Sequence, residues 1–244
     1  MMVETLNNTS NERSFVRPAT DWSRRTLTVA GERVVAFVRG EPGRCAVVGI
    51  HGLGSSGRDL QATLERLDAP AVVLDLPGFG ESSRPDRCYT VTAAAHAVLG
   101  VLDALRVLRP VWVGCSYGAH VAVRAALDHS SRVAALVLVS PGGIDPEIHP
   151  TAADRFGESQ MRSRSVNAVA LALDALVGSE TPETIAFRAR RLSLHAQAER
   201  PGGSDYRAIA RSAEGSLSDT AAHQLDALSG KLPVEVFHGD RDPL

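Results

Sequence analysis

Apolar residues fall in short clusters along this chain, and the spacing within those clusters changes from one region to the next. Over residues 26–38, two β-like runs flank Ala30-Gly31-Glu32, the pattern of a hairpin. From residue 45 onward come continuous apolar runs at 45–50, 71–74, 110–113 and 133–139, as expected of strands buried on both faces. Between them, residues 56–67, 91–105 and 117–127 carry apolar side chains at helical spacing. In the second of these, Val91, Ala95, Val98, Leu102 and Leu105 share one face. Strands separated by crossover helices predict an α/β fold, with a mostly parallel twisted sheet and helices on both faces.

The β pattern disappears between residues 141 and 232. Helical periodicity over 151–177, 181–199 and 205–228 predicts an all-helical insertion, with Pro182 in a first-turn position and Gly202-Gly203 as a break. Residues 233–237 then read as one more short buried strand. The predicted organisation is a loose polar leader over 1–22, an α/β core over 23–143 and 229–244, and a helical cap over 144–228.

Composition narrows the functional classes. The 244 residues fit one large domain, or a domain with a subdomain, and 44% hydrophobic with 22% charged residues is globular rather than disordered. Twenty-six basic against 28 acidic side chains leave a net charge of −2, so no bulk basicity points to nucleic acid or a membrane surface. Lys231 is the only lysine, which reads as a proteome-wide preference for arginine. The arginines of the cap are accordingly expected on a solvated face rather than at an anionic ligand. Three cysteines, an odd number, argue against a disulfide framework and for a reducing cytoplasm. No apolar run approaches the roughly 18–20 residues of a membrane span, and residues 1–21 lack the apolar core of a signal peptide.

Three motifs carry chemistry. Gly114-Cys115-Ser116-Tyr117-Gly118 is G-x-S-x-G between a strand and a helix, the context in which a sharp turn lifts a serine hydroxyl clear of a sheet. Gly114 and Gly118 remove the Cβ atoms that so tight a turn would crowd. A serine attacking a carbonyl needs amide donors for the oxyanion, and the N–H after the nucleophile, that of Tyr117, is one. His51-Gly52-Leu53-Gly54, just past a strand, can offer the N–H of Leu53 as the other, with His51 expected to brace the turn rather than act as a base. The third motif, Asp75-Leu76-Pro77-Gly78-Phe79-Gly80-Glu81-Ser82, shapes a neighbouring loop that Asp75 is expected to tie down.

In this order, the three motifs resemble the α/β-hydrolase superfamily from about residue 27 to the end of the sequence. The resemblance implies Ser116 as nucleophile, Leu53 and Tyr117 as the oxyanion hole, and a cap at the helical insertion. It also implies a catalytic acid after the strand that follows the cap. There the family's G-x-x-D pattern selects Asp242 in Gly239-Asp240-Arg241-Asp242. The family order is serine, acid, histidine, yet the sequence stops at Leu244 and no histidine follows Asp242. The expectation is therefore a fragment, inactive or feeble alone, of a hydrolase that attacks an ester, thioester or related carbonyl through an acyl-enzyme. A small acyl compound is the partner implied, and no cofactor is needed. Serine at the elbow points away from dehalogenase and epoxide chemistry, which would place an aspartate there.

Three alternatives remain open. Gly52-x-Gly54-x-x-Gly57 with Asp75 ending the next strand also fits a dinucleotide-binding layout. A non-catalytic binding protein could use the same pocket, and the acyl group could pass to an alcohol or amine instead of water. A metal site finds little support: H-E-x-x-H is absent, and His238 with Asp240 and Asp242 fits the acid loop better.

Overall fold

A computed structural model describes residues 21–84, 90–141, 181, 182, 185, 189 and 222–239. Most of the leader, most of the expected cap, and Asp240 and Asp242 lie outside the described residues. Within them are seven strands: β1 (Trp22–Val29), β2 (Glu32–Arg39), β3 (Val47–Ile50), β4 (Ala71–Asp75), β5 (Val111–Cys115), β6 (Ala135–Val139) and β7 (Val234–Phe237). The α-helices whose bounds fall among them are α1 (Arg58–Leu64), α2 (Val91–Ala104) and α3 (Tyr117–Asp128), and Pro182, Ile185 and Ala189 are also helical. The strands form one sheet in the order β1-β2-β4-β3-β5-β6-β7. From β4 to β7 every neighbouring pair is parallel, and β2 runs antiparallel to both β1 and β4. The expected α/β class and mostly parallel sheet are what the chain forms.

Alternation along the strands feeds two cores, one on each face. Val34, Ala36, Val38, Val48, Ile50, Val72 and Leu74 pack beneath α2 and α3. Val35, Phe37, Val47 and Val73 face the opposite way, against Leu60 and Leu64 of α1. Four of the five α2 positions expected on one face (Val91, Ala95, Val98 and Leu102) are fully buried, and Leu105 packs against the same core. The Thr90 side chain caps the helix by accepting the Ala93 N–H at 3.0 Å.

The hairpin turn falls at Ala30 (φ 49°) and Gly31 (φ 83°), the left-handed pair that suits the twist of two tightly joined strands. Its first strand is longer than the apolar pattern suggested, because Trp22 is anchored from outside the run. The indole N–H donates to Glu65 at 2.7 Å, and the Arg39 guanidinium lies 5.5 Å from the ring centre.

Two further elements differ from expectation. Residues 233–237 were expected as a buried strand, but Val236 and Phe237 of β7 are 48% and 57% exposed. In the strand order β7 has one neighbour only, β6, so its apolar run lies at an edge of the described sheet rather than inside it. The end of the last expected cap helix, Ala222–Leu228, is a 3₁₀ segment kinked at Gln224. It leans on the sheet core through Leu225 and Leu228.

One buried side chain joins the antiparallel and parallel parts of the sheet. The Ser82 hydroxyl donates to the Asp75 carbonyl at 2.6 Å and accepts the Val35 N–H at 2.9 Å. It is fully buried. Ser82→Ala leaves two buried backbone groups unpaired, so equilibrium denaturation should show a loss of about 1–3 kcal/mol with the denaturant slope unchanged.

Candidate active site

The end of β5 and the start of α3 are a single bend, and Ser116 is the bend. Its backbone sits at φ 51°, ψ −118°, a left-handed conformation that L side chains avoid. Two features of the surroundings hold it there. Its N–H donates to the Val139 carbonyl at 2.9 Å, which extends the β5–β6 ladder by one residue. Its own carbonyl then accepts the Ala119 N–H at 2.9 Å, which opens the helix.

The flanking glycines are explained by what a Cβ would strike. At Gly114 it would lie 2.5 Å from the Ala119 Cα and 2.6 Å from the Ala119 nitrogen, and closer still to the Gly118 carbonyl oxygen. At Gly118 it would lie 2.7 Å from the His51 carbonyl oxygen, and closer still to that of Ile50. Every obstacle is backbone and cannot swing aside. The glycines therefore set how near the first turn of α3 comes to the end of β3.

That approach brings the second motif to the first. At Gly52 a Cβ would stand 3.3 Å from the Ser116 Cβ and 3.3 Å from the Cys115 carbonyl oxygen, so the His51–Gly54 loop passes directly beside the serine. The loop turns tightly, with the Ser55 N–H donating to the Gly52 carbonyl at 3.2 Å and Gly54 at φ 64°. His51 is buried to 1% exposure and locks the turn. Its Nδ1–H donates to the Gly52 carbonyl at 2.8 Å, and its Nε2 accepts the Leu76 N–H at 3.1 Å. A carbonyl and an amide as partners require the neutral ring with its proton on Nδ1. Phe79 meets the same ring edge-on at 5.3 Å.

Asp75 ties three segments together, as the sequence suggested. One carboxylate oxygen accepts the Gly57 N–H at 2.7 Å and the other accepts the Glu81 N–H at 2.8 Å. Burial pushes this carboxyl above the ordinary aspartate range, while the Glu81 and Gly57 amides pull it back. Gly80, at φ 51°, is required here because its Cβ would fall within 2.7 Å of the carboxylate. Glu81 itself is partly buried, which raises its pKa. Arg58 and Arg24, bonded to it at 2.9 and 2.7 Å, more than offset that and hold it below the ordinary range.

The same bonds bear on the dinucleotide layout. The acid that would hold a ribose spends both its oxygens on backbone amides. Gly57, the third glycine of that pattern, is needed because a Cβ would lie 2.9 Å from the Leu74 carbonyl oxygen. Both residues are accounted for by the folding of the loop.

Ser116, Tyr117, Gly114 and Gly118 thus lie together with His51, Gly52, Leu53 and Gly54, and Asp75 braces the adjoining loop. Asp242 falls outside the described residues. Sequence reasoning missed the structural parts played by Ser82 and Gly57, and it missed the left-handed Ser140 (φ 41°) at the end of β6. Only Gly57 carried a signal, as the last glycine of Gly52-x-Gly54-x-x-Gly57. Burial pushes the Cys45 thiol up to about 11, which keeps it protonated at neutral pH.

A family model for the alpha/beta hydrolase fold matches residues 46–244. The chain belongs to the α/β-hydrolase family. Among curated relatives, Epoxide hydrolase A of Mycobacterium tuberculosis is 34% identical over 143 residues, 55% of this chain and 44% of that protein. Pimeloyl-[acyl-carrier protein] methyl ester esterase of Vibrio atlanticus is 37% identical over 93 residues, 37% of this chain and 34% of that protein. The chain therefore spans less than half the length of these relatives. The solved structure of a 2-hydroxy-6-oxo-6-phenylhexa-2,4-dienoate hydrolase from Rhodococcus superposes with a TM-score of 0.71 at 19% identity, covering 92% of this chain and 83% of that one. At that identity the likeness speaks for the fold. No helix among the described residues is long and apolar enough to cross a membrane.

Two outcomes follow for this α/β-hydrolase site. Gly118→Ala should lower stability by about 1–3 kcal/mol or more, although alanine is the better helix former, because nothing near its Cβ can yield. Asp75→Asn replaces one of two acceptors by a donor and should also destabilise. Because the folded Asp75 carboxyl titrates above 3.8, the folded state holds the extra proton between that value and its own pKa. Stability then falls as pH rises through that window. The deficit of Asp75→Asn, measured by denaturation at a series of pH values, should accordingly be largest at acid pH and shrink as pH rises.

Proposed function

We propose that this protein is a serine hydrolase that cleaves an ester, thioester or related carbonyl through an acyl-enzyme on Ser116. The observation carrying this reading is the left-handed Ser116 on a bend lined with glycine, with the Gly52–Leu53 loop beside it. The Ser116 Oγ adds to the carbonyl carbon, and its proton passes to a base that Asp242 orients. The tetrahedral oxyanion rests on the Leu53 and Tyr117 amides, and its collapse expels the alcohol or thiol, which takes up the proton. Water then repeats the sequence on the acyl-enzyme and releases the acid. His51 is not the base in this scheme. Its Nε2 is held by the Leu76 amide, and its work is to keep the oxyanion loop in shape.

Serine at the elbow favours acyl chemistry over that of the epoxide hydrolase relative, and the methyl ester esterase relative agrees with it. The helical insertion over 144–228 would cover the pocket and set the substrate. The odd cysteine count of the sequence suits a reducing cytoplasm.

Hydrolysis of 4-nitrophenyl butyrate and covalent labelling by a fluorophosphonate test the proposal together. Ser116→Ala should abolish the label and lower turnover by about a millionfold where the triad is complete. Labelling that persists without Ser116 would refute it. A protein with a complete triad that binds small acyl compounds yet never reacts would favour a binding protein instead.

A further inference from the structure

Four non-glycine residues among those described have positive φ: Ala30, Arg106, Ser116 and Ser140. Ala30 makes the hairpin turn, and Arg106 turns the chain just after α2. The other two end neighbouring strands. Register pairs Cys115 with Val139 and Val139 with Phe237, and the ladder runs one residue further on each side. The Ser116 N–H reaches Val139 and the Ser140 N–H reaches Phe237, at 2.9 and 2.8 Å. Ser116 and Ser140 are therefore adjacent in one row at the carboxyl edge of the sheet, about 4.8 Å apart across the strands. Ser140 is half-buried and directly precedes Pro141, which already narrows the backbone choices of its predecessor. Glycine would hold this bend without strain, yet the position carries a hydroxyl. Strain kept in a non-glycine residue marks functional sites.

Resting on the reading of Ser116 as nucleophile, we propose that Ser140 is a specificity-determining residue. Its hydroxyl hydrogen-bonds an oxygen or nitrogen on the substrate two to four bonds from the scissile carbonyl carbon. Strand order supplies the direction. The oxyanion loop follows β3, on one flank of Ser116, and Ser140 ends β6, on the other. A carbonyl whose oxygen turns toward the loop sends one of its two remaining substituents toward β6. An alkyl group there gains nothing from Ser140, whereas an ether, hydroxyl, carbonyl or amide gains a hydrogen bond. The substrate class that follows is an acyl compound with a second heteroatom beside the reacting carbonyl.

Near-isosteric pairs test this: 4-nitrophenyl butyrate against 4-nitrophenyl methoxyacetate, and butyl acetate against 2-methoxyethyl acetate. Ser140→Ala should lower kcat/KM for the ether member of one pair by about 3- to 10-fold and leave its alkyl partner unchanged. Ser140→Gly relieves the left-handed strain and should raise Tm, yet it should show the same selective loss. Equal losses on both members of each pair, or a glycine variant as selective as wild type, would overturn the proposal. Binding of butyrate against methoxyacetate, and of butanol against 2-methoxyethanol, followed by NMR titration, needs no turnover. A wild-type preference for one ether ligand that both variants lose supports Ser140, and no such preference overturns it. Failed turnover where the triad is complete, with that preference intact, would instead count against Ser116 as nucleophile.

Discussion

The first turn of α3 comes so close to the end of β3 that no side chain fits between them, and Gly118 is the residue at the contact. Its bare Cα faces the carbonyl oxygens of Ile50 and His51. Because the helix can come this near, β5 passes into α3 through one residue, and that residue takes the left-handed backbone. The same approach sets the Gly52 loop against the Ser116 side chain. Ser116 and the Gly52 loop are thus placed relative to one another by backbone contact rather than by flexible side chains.

Rigidity on the other side of the loop comes from buried polar groups that are fully engaged. His51 links its own turn to Leu76, Asp75 links Gly57 to Glu81, and Ser82 links Asp75 to Val35. Burying a carboxylate is costly, and the raised pKa of Asp75 reflects that cost. The two amide hydrogen bonds offset it only in part. The network stabilises one shape of the loop rather than the protein as a whole.

Much of the fold was legible because its signals are local. Continuous apolar runs marked β3 to β6, helical spacing marked α2 and α3, and Ala30-Gly31 marked a turn that needs two left-handed residues. Where a boundary moved, a contact distant in sequence was responsible. β1 reaches back to Trp22 because its indole finds Glu65. The exposure of β7 was not legible, since an apolar run reads alike in the middle of a sheet and at its edge.

The sequence by itself determined the kind of protein this is: the alternation of strands and helices, the elbow at Ser116, and the glycines without which that elbow could not close. Periodicity and glycine placement follow from neighbours in the chain, so they can be read from it. The sequence also suggested that Asp75 ties down a loop and that His51 braces a turn; tertiary structure alone decided which backbone groups they engage, that the His51 ring carries its proton on Nδ1, and that Ser140 stands beside Ser116. Those outcomes depend on which strands lie next to one another and in what register, and the energies that choose the register come from both faces of the sheet at once.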